Sequence, residues 1–282
     1  MKKELTFNYF GYLFKSKSIV KGMPFILAGF SGGSLGANHG TEKAPKALIE
    51  EFGNVWSSES GNVTNPTVFE LNLDNSNLDT SHAVIEEFVA SKERPFVLGG
   101  DHSITFASFK GFLKKHPNSG LLVFDAHADC MDDFPTHEDH INSFVSQCIV
   151  KPENILLVGL RNVHPKERAF LKQHNIRFFD MKQCYFLGVK DLTSIIMEIC
   201  NKLPFLYTSI DIDVIDPSAA PGTGHLEPGG FTAREFIHMM QRIAMMKNFS
   251  GGDLMEINPD KDLNKMTVRL GAKILKEIAH RF

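Results

Sequence analysis

Apolar residues along this chain come in short dense runs separated by segments of helical spacing. The runs PFILAGF (24–30), PFVLGG (95–100), LLVFDAH (121–127), ILLVGLR (155–161), IRFFD (176–180), FLYTSIDID (205–213) and GGDLMEI (251–257) predict strands. Residues 41–52, 81–91, 103–115, 165–174, 192–202, 232–246 and 267–280 predict helices. Several strands are almost wholly apolar, as in a parallel sheet covered on both faces. Their alternation with helices predicts right-handed crossovers and a layered α/β architecture. Residues 54–77 are rich in Ser, Asn and Gly and predict a long surface loop with one strand, TVFELNL, inside it. No repeat, low-complexity segment or linker interrupts the pattern, so a single domain over residues 1–282 is expected.

Composition narrows the function classes. The chain has 282 residues, 43% hydrophobic and 22% charged, as in ordinary soluble domains. A net charge of −3 lacks the basic footprint of a nucleic-acid partner. No apolar run approaches the ~20 residues that span a membrane. The N-terminal basic residues are not followed by the continuous apolar stretch of a signal peptide. Cys130, Cys148, Cys184 and Cys200 form no CxxC pair and read as reduced thiols. A cytoplasmic protein is expected.

The acidic and histidine residues cluster directly after predicted strands. The clusters are GGDHS (99–103), DAHAD (125–129), Asp211 and Asp213 with Asp216-Pro217, and Glu256 in MEINP. Ligand sites in open α/β sheets lie beyond the carboxyl ends of strands, so neighbouring strands would bring these clusters together. The alternate residues of D-x-H-x-D share a side while the chain stays extended. Two histidines and four carboxylates form a hard donor set that suits Mn²⁺ better than Zn²⁺. Six donors exceed the need of one catalytic ion, which points to two ions with shared carboxylates. The bland readings are a solvated DxD loop and an Asp101 that caps the following helix. Three ionisable groups behind LLVF would repel or desolvate one another without a cation.

At these residues the sequence resembles the ureohydrolase family of arginase, agmatinase and relatives, over residues 25–280. GGDHS, DAHxD, SxDxDxxDP and the MEINP-like strand stand here in the family's order. GLRNVHP (159–165) and PGTGHLEPGGFTARE (221–235) also resemble family segments. The resemblance implies a three-layer α/β/α fold with a doubly wound, mainly parallel sheet, assembled as a trimer or hexamer. It implies two Mn²⁺ per subunit. His102, Asp125, Asp129 and Asp211 would hold one ion, and Asp125, His127, Asp211 and Asp213 the other, with Asp125 and Asp211 bridging. It implies hydroxide attack on a guanidinium carbon, with Asp129 orienting the nucleophile and Glu256 pairing with the planar cation. His140 is assigned as the proton shuttle, with His137 as the competing candidate.

The substrate is read from departures. The loop CMDDFPTHEDHINS is acidic, with Asp132, Asp133, Glu138 and Asp139. That disfavours the carboxylate of arginine and tolerates a second cation. His164 stands where arginases carry an Asp, and PGTG…EPGG with Glu227 resembles the agmatinase signature. Agmatine is therefore expected, bound by Glu256, His164, His225 and Glu227. The alternatives are arginine, a guanidino acid, formiminoglutamate, or a metal-binding scaffold without catalysis.

Overall fold

The computed structural model describes residues 5–9, 12–16, 23–34, 38–132, 137 and 139–279. Two strands near the N-terminus, β1 (Leu5–Tyr9) and β2 (Tyr12–Ser16), pair antiparallel as a hairpin. The remaining strands are β3 (Phe25–Ala28), β4 (Val68–Glu70), β5 (Phe96–Gly99), β6 (Gly120–Phe124), β7 (Ile155–Leu160), β8 (Arg177–Asp180), β9 (Leu206–Asp211) and β10 (Phe249–Met255). They form one sheet in the order β4-β3-β5-β10-β9-β6-β7-β8, and every pairing is parallel.

Among the described residues, eight α-helices cover the two faces. α1 (Ala44–Asn54), α6 (Met181–Cys200), α7 (Ala233–Ile243) and α8 (Met266–Ala279) pack on one side. α2 (Leu78–Ala90), α3 (Ile104–Lys115), α4 (His140–Ser146) and α5 (Pro165–Gln173) pack on the other. The strands serve both cores by alternation. Leu122 and Phe124 face the first core, while Leu121 and Val123 face the second. This explains why the strands read as mostly apolar runs: each face is buried, so apolar residues dominate both. The three-layer architecture expected from the sequence is present.

Local signals set most boundaries. Asp180 and Thr232 cap α6 and α7 in reciprocal capping boxes with Gln183 and Glu235. α6 begins eleven residues before the predicted 192–202 segment, at Met181. It kinks at Gly188, whose φ of 71° few other residues tolerate. Tyr185 and Phe186 are exposed on its first turns, which breaks the amphipathic pattern that the prediction relied on. Pattern reading also missed the hairpin and the short helix α4.

Candidate metal centre

The four clusters follow β5, β10, β9 and β6, which are adjacent at the centre of the sheet. Being parallel, these strands deliver His102, Glu256, Asp211 and Asp125 to one edge. Gly100 permits the approach: a Cβ there would sit 1.7 Å from the Phe30 carbonyl oxygen.

The local geometry differs from the extended run expected for D-x-H-x-D. β6 ends at Phe124, and the chain then turns. His127 N–H donates to Asp125 Oδ1 at 2.7 Å, and Asp213 N–H donates to Asp211 Oδ1 at 2.8 Å. Each is a turn in which a carboxylate accepts from the amide two residues on. Carboxylate-to-backbone bonding, rather than strand pleat, sets the side-chain directions. Ala126 N–H donates to Asp213 Oδ1 at 3.1 Å and ties the two clusters together. Asp129 and Glu256 have φ of 46° and 63°. Such left-handed non-glycine backbone costs about 1–3 kcal/mol and is kept where surrounding contacts enforce it. Here Ile141 N–H bonds Asp129 O at 2.9 Å, and Glu256 N–H bonds Gly100 O at 2.8 Å.

All six expected ligands meet. His102 Nδ1 lies 3.2 Å from Asp125 Oδ2, 3.1 Å from Asp129 Oδ2 and 3.2 Å from Asp211 Oδ2. His127 Nδ1 lies 3.0 Å from Asp213 Oδ2 and 3.5 Å from Asp125 Oδ1. Asp125 therefore turns one oxygen toward each histidine. Asp211, expected to bridge as well, falls only in the His102 group.

The electrostatics call for added positive charge. Burial alone would depress His102, but its contacts with Asp125, Asp129 and Asp211 hold it well above the usual imidazole range. Burial, then the Asp125 charge, pushes Asp129 up. Burial, then Asp213 and Asp125, pushes Asp211 up. One imidazolium does not balance three buried carboxylates. His102 Nε2 lies 3.0 Å from Ser209 Oγ, so a proton on Nε2 leaves the Nδ1 lone pair facing the acids. His102 Nδ1 and Asp125 Oδ2 are both buried without a hydrogen-bond partner. Two facing lone pairs, with further carboxylates around them, fit divalent cations.

A cavity of about 310 Å³ opens above this cluster. Asp129, Asp211, Asp213 and Glu256 line it, with Asn162, His164 and His225 among its exposed residues. No lysine or arginine is among its described lining residues. Glu256 Oε1 accepts the His102 amide at 2.7 Å, and Oε2 accepts Asn38 Nδ2. Asn258 Nδ2 holds Asn38 Oδ1 at 2.7 Å. Burial, then the Asp101 charge, pushes the Glu256 carboxyl up to about 7. Asn38 was not found from sequence, because nothing in a turn 218 residues away marks it as a partner of Glu256.

Several expectations need correction or refinement. His140, assigned as the shuttle, is fully buried and does not line the cavity. Its ring packs 4.4 Å from that of His102, and its Nδ1 lies 3.3 Å from Asp129 Oδ2. His137, the competing candidate, is among the described residues that line the cavity. The acidic loop is also different. Asp139 is buried at the start of α4, and Asp132 points toward Lys166 at 3.9 Å. Asp133 and Glu138 lie outside the described residues. His164 lines the cavity, yet its Nδ1 also accepts the Lys166 amide and caps α5. His225 lies with its ring 5.4 Å from that of His127 and 6.2 Å from that of His137. Glu227 meets His127 and Asn162. Asp101, read as a helix cap, accepts the Ser103 and Ser34 amides and braces the turn before α3. The four cysteines are free.

A parallel α/β sheet that presents histidines and carboxylates in two groups sharing one aspartate defines a candidate binuclear metallohydrolase. Residues 19–280 match the profile of the Arginase family, and the chain belongs to that family. It is a ureohydrolase of guanidino compounds. An arginase of Staphylococcus aureus is 30% identical over 218 residues, covering 70% of this chain and 72% of that protein. An agmatinase of Bacillus cereus is 29% identical over 239 residues, covering 82% and 79%. The crystal structure of formimidoylglutamase from Bacillus subtilis superposes with a TM-score of 0.84 at 23% identity, covering 91% of this chain and 84% of that one. That last likeness concerns the fold.

Proposed function

We propose that this chain hydrolyses agmatine to putrescine and urea with two Mn²⁺ held by His102, Asp125, His127, Asp129, Asp211 and Asp213. The observation that carries the substrate choice is a cavity lined by buried acids with no lysine or arginine among its described lining residues. Such a cavity favours a dication without a carboxylate. Bound divalent ions supply a nucleophile at neutral pH by lowering the pKa of water to about 7.

The chain's own groups do the rest. Asn38 and the His102 amide fix the plane of Glu256 and leave acceptor sites free. Those sites pair with the guanidinium edge. A cation beside Glu256 also favours its ionised form, which opposes the upward pull of burial. Asp129 orients the attacking water, and His137 hands a proton to the departing amine. His164 and His225 shape the end of the cavity that takes the distal amine, and Glu227 holds the His127 ring. We also read the protein as a cytoplasmic homo-oligomer, a trimer or hexamer, which rests on the family resemblance.

A second reading has support. His164, His225 and Asn162 are hydrogen-bond donors at the exposed side of the cavity, and donors there suit a carboxylate. Arginine, a guanidino acid or formiminoglutamate would fit that arrangement. Manganese-loaded protein should be offered agmatine, arginine, guanidinobutyrate, guanidinopropionate and formiminoglutamate, with urea and formamide measured. Release of urea from agmatine is the expected result. Turnover of arginine without agmatine would transfer the assignment to the second reading. Silence on all five with metal bound would leave a scaffold.

A further inference from the structure

Beneath the cavity sits an imidazole that the proposed chemistry does not use. His140 is 0% exposed, and among the described residues neither of its ring nitrogens has a hydrogen-bond partner. An unmade bond to a buried polar atom costs about 1–3 kcal/mol, so two on one ring need a cause. The described surroundings do not provide one through the protein alone. Phe144 packs edge-on at 6.1 Å and the His102 ring lies at 4.4 Å. Asp129 Oδ2 is 3.3 Å from His140 Nδ1 without forming a hydrogen bond to it. The same Asp129 oxygen is 3.1 Å from His102 Nδ1. Nitrogens of two histidines thus flank one carboxylate oxygen, and the three side chains form a group compact enough to hold an ion.

Local backbone enforces the position. His140 opens α4, and the Ile141 amide donates to Asp129 O at 2.9 Å. The start of the helix is therefore pinned to the residue whose carboxylate it faces. A proton relay would instead face the cavity, and His140 is not among the described residues that line it.

We propose that His140 is a further nitrogen ligand to the ion on the His102–Asp129 side, so that this half of the centre carries two imidazoles. This rests on the proposed function for the presence of the ions. The added nitrogen makes that half softer than a site of one histidine and carboxylates. Its affinity for Co²⁺ and Zn²⁺ rises more than its affinity for Mn²⁺.

Equilibrium dialysis of Mn²⁺ and of Co²⁺ into metal-free protein tests this, comparing wild type with His140→Gln and His140→Asn. Two ions per wild-type chain are expected. Each variant should bind one of them at least about tenfold more weakly, with the larger loss for Co²⁺. A structural role would weaken both metals alike, and that outcome would overturn the proposal. So would variants that bind both ions like wild type while losing turnover, which returns His140 to proton transfer. Should both variants fail to fold, pulsed EPR of wild-type protein with ¹⁵N-histidine and substoichiometric Mn²⁺ decides directly. Titrated up to one equivalent, the spectra should include an ion coupled to two imidazole nitrogens; finding no more than one nitrogen per ion overturns it. Wild-type protein that takes up no metal overturns the proposed function along with this inference, whereas unchanged variants overturn only the inference.

Discussion

Glu227 Oε1 lies 3.4 Å from Nε2 of His127, on the far side of the ring from Asp125 and Asp213. Asn162 Nδ2 donates to the same oxygen at 2.7 Å, and Arg161 Nε donates to the Glu227 carbonyl at 3.1 Å. A carboxylate that accepts Nε2–H fixes the tautomer and directs the Nδ1 lone pair toward a metal. Glu227 was expected among the substrate contacts, but this geometry gives it a task on the protein itself. Glu227→Ala should weaken the ion on the His127 side by about 10–100-fold, and Glu227→Gln, which keeps an acceptor, by less. Manganese titration of both variants checks this. A raised KM with unaltered metal affinity would restore the role of substrate contact.

Asp125 is the residue shared between the two groups, with Oδ2 toward His102 and Oδ1 toward His127. Replacing it with Asn removes the charge while preserving shape. Asp125→Asn is expected to lose at least one ion per chain, read by elemental analysis after gel filtration. Retention of both ions would mean that the remaining donors suffice and that Asp125 does not bridge.

The sequence reading reached the sheet, most of the helices and the six side chains that meet at its edge for a physical reason. Strands buried on both faces are written as apolar runs, and the groups at their carboxyl ends are close in sequence to those runs. What it did not reach depends on contacts across the chain. Asn38 meets Glu256 from 218 positions away, and no local pattern encodes that meeting. The choice between His137 and His140 depends on where the loop after Asp129 carries each ring, His140 against His102 and His137 to the cavity. Spacing does not encode that only His137 of the two is among the described residues lining the cavity. Asp139 and Asp132 looked like a negative rim because sequence gives charge without direction.

Behind the centre, Asp253 is fully buried, and its Oδ2 accepts Tyr207 Oη at 2.8 Å, Thr105 Oγ1 at 3.0 Å and Ser108 Oγ at 3.2 Å. Thr105 Oγ1 lies 3.2 Å from Ser209 Oγ, which faces His102 Nε2. The network links the orientation of His102 to the second core. Tyr207→Phe keeps the ring packed between Phe109 and Phe112 and removes only the hydroxyl. The expected loss is about 1.5–3 kcal/mol, the range for a hydrogen bond to a charged group. Urea unfolding of metal-free protein measures it, and a loss under about 0.5 kcal/mol would mean that Asp253 is held neutral or is rehydrated.

His82 gives a pH dependence away from the centre. Burial, partly opposed by the Asp79 charge, lowers its imidazole to about 4. An unfolded histidine titrates near 6.5. Between those values the unfolded chain binds the extra proton, so stability falls as pH drops from about 6.5 to about 4 and the loss is complete below that. The full shift corresponds to about 3 kcal/mol, and solvent contact of this half-buried side chain reduces it to about 1. His82→Gln should flatten the curve of unfolding midpoint against pH in that window. A slope equal to that of wild type would show that the carboxylates alone set it.

The proton-transfer assignment separates cleanly from metal binding. His137 lines the cavity, and its ring lies nearly parallel to that of His225, 12° apart in plane. The departing amine leaves from the cavity, so the group that protonates it must face that space. His137→Ala is expected to keep two ions and to lower kcat about 100-fold or more, the usual range for a positioned general acid. KM should change little, because on the proposed reading Glu256 grips the guanidinium. The loss should be largest for substrates with the most basic leaving amine, because a poor leaving group depends most on protonation. Adding imidazole to the assay should restore part of the rate if an empty space replaces the ring. A variant with wild-type kcat would remove His137 from proton transfer and leave the solvent as the donor.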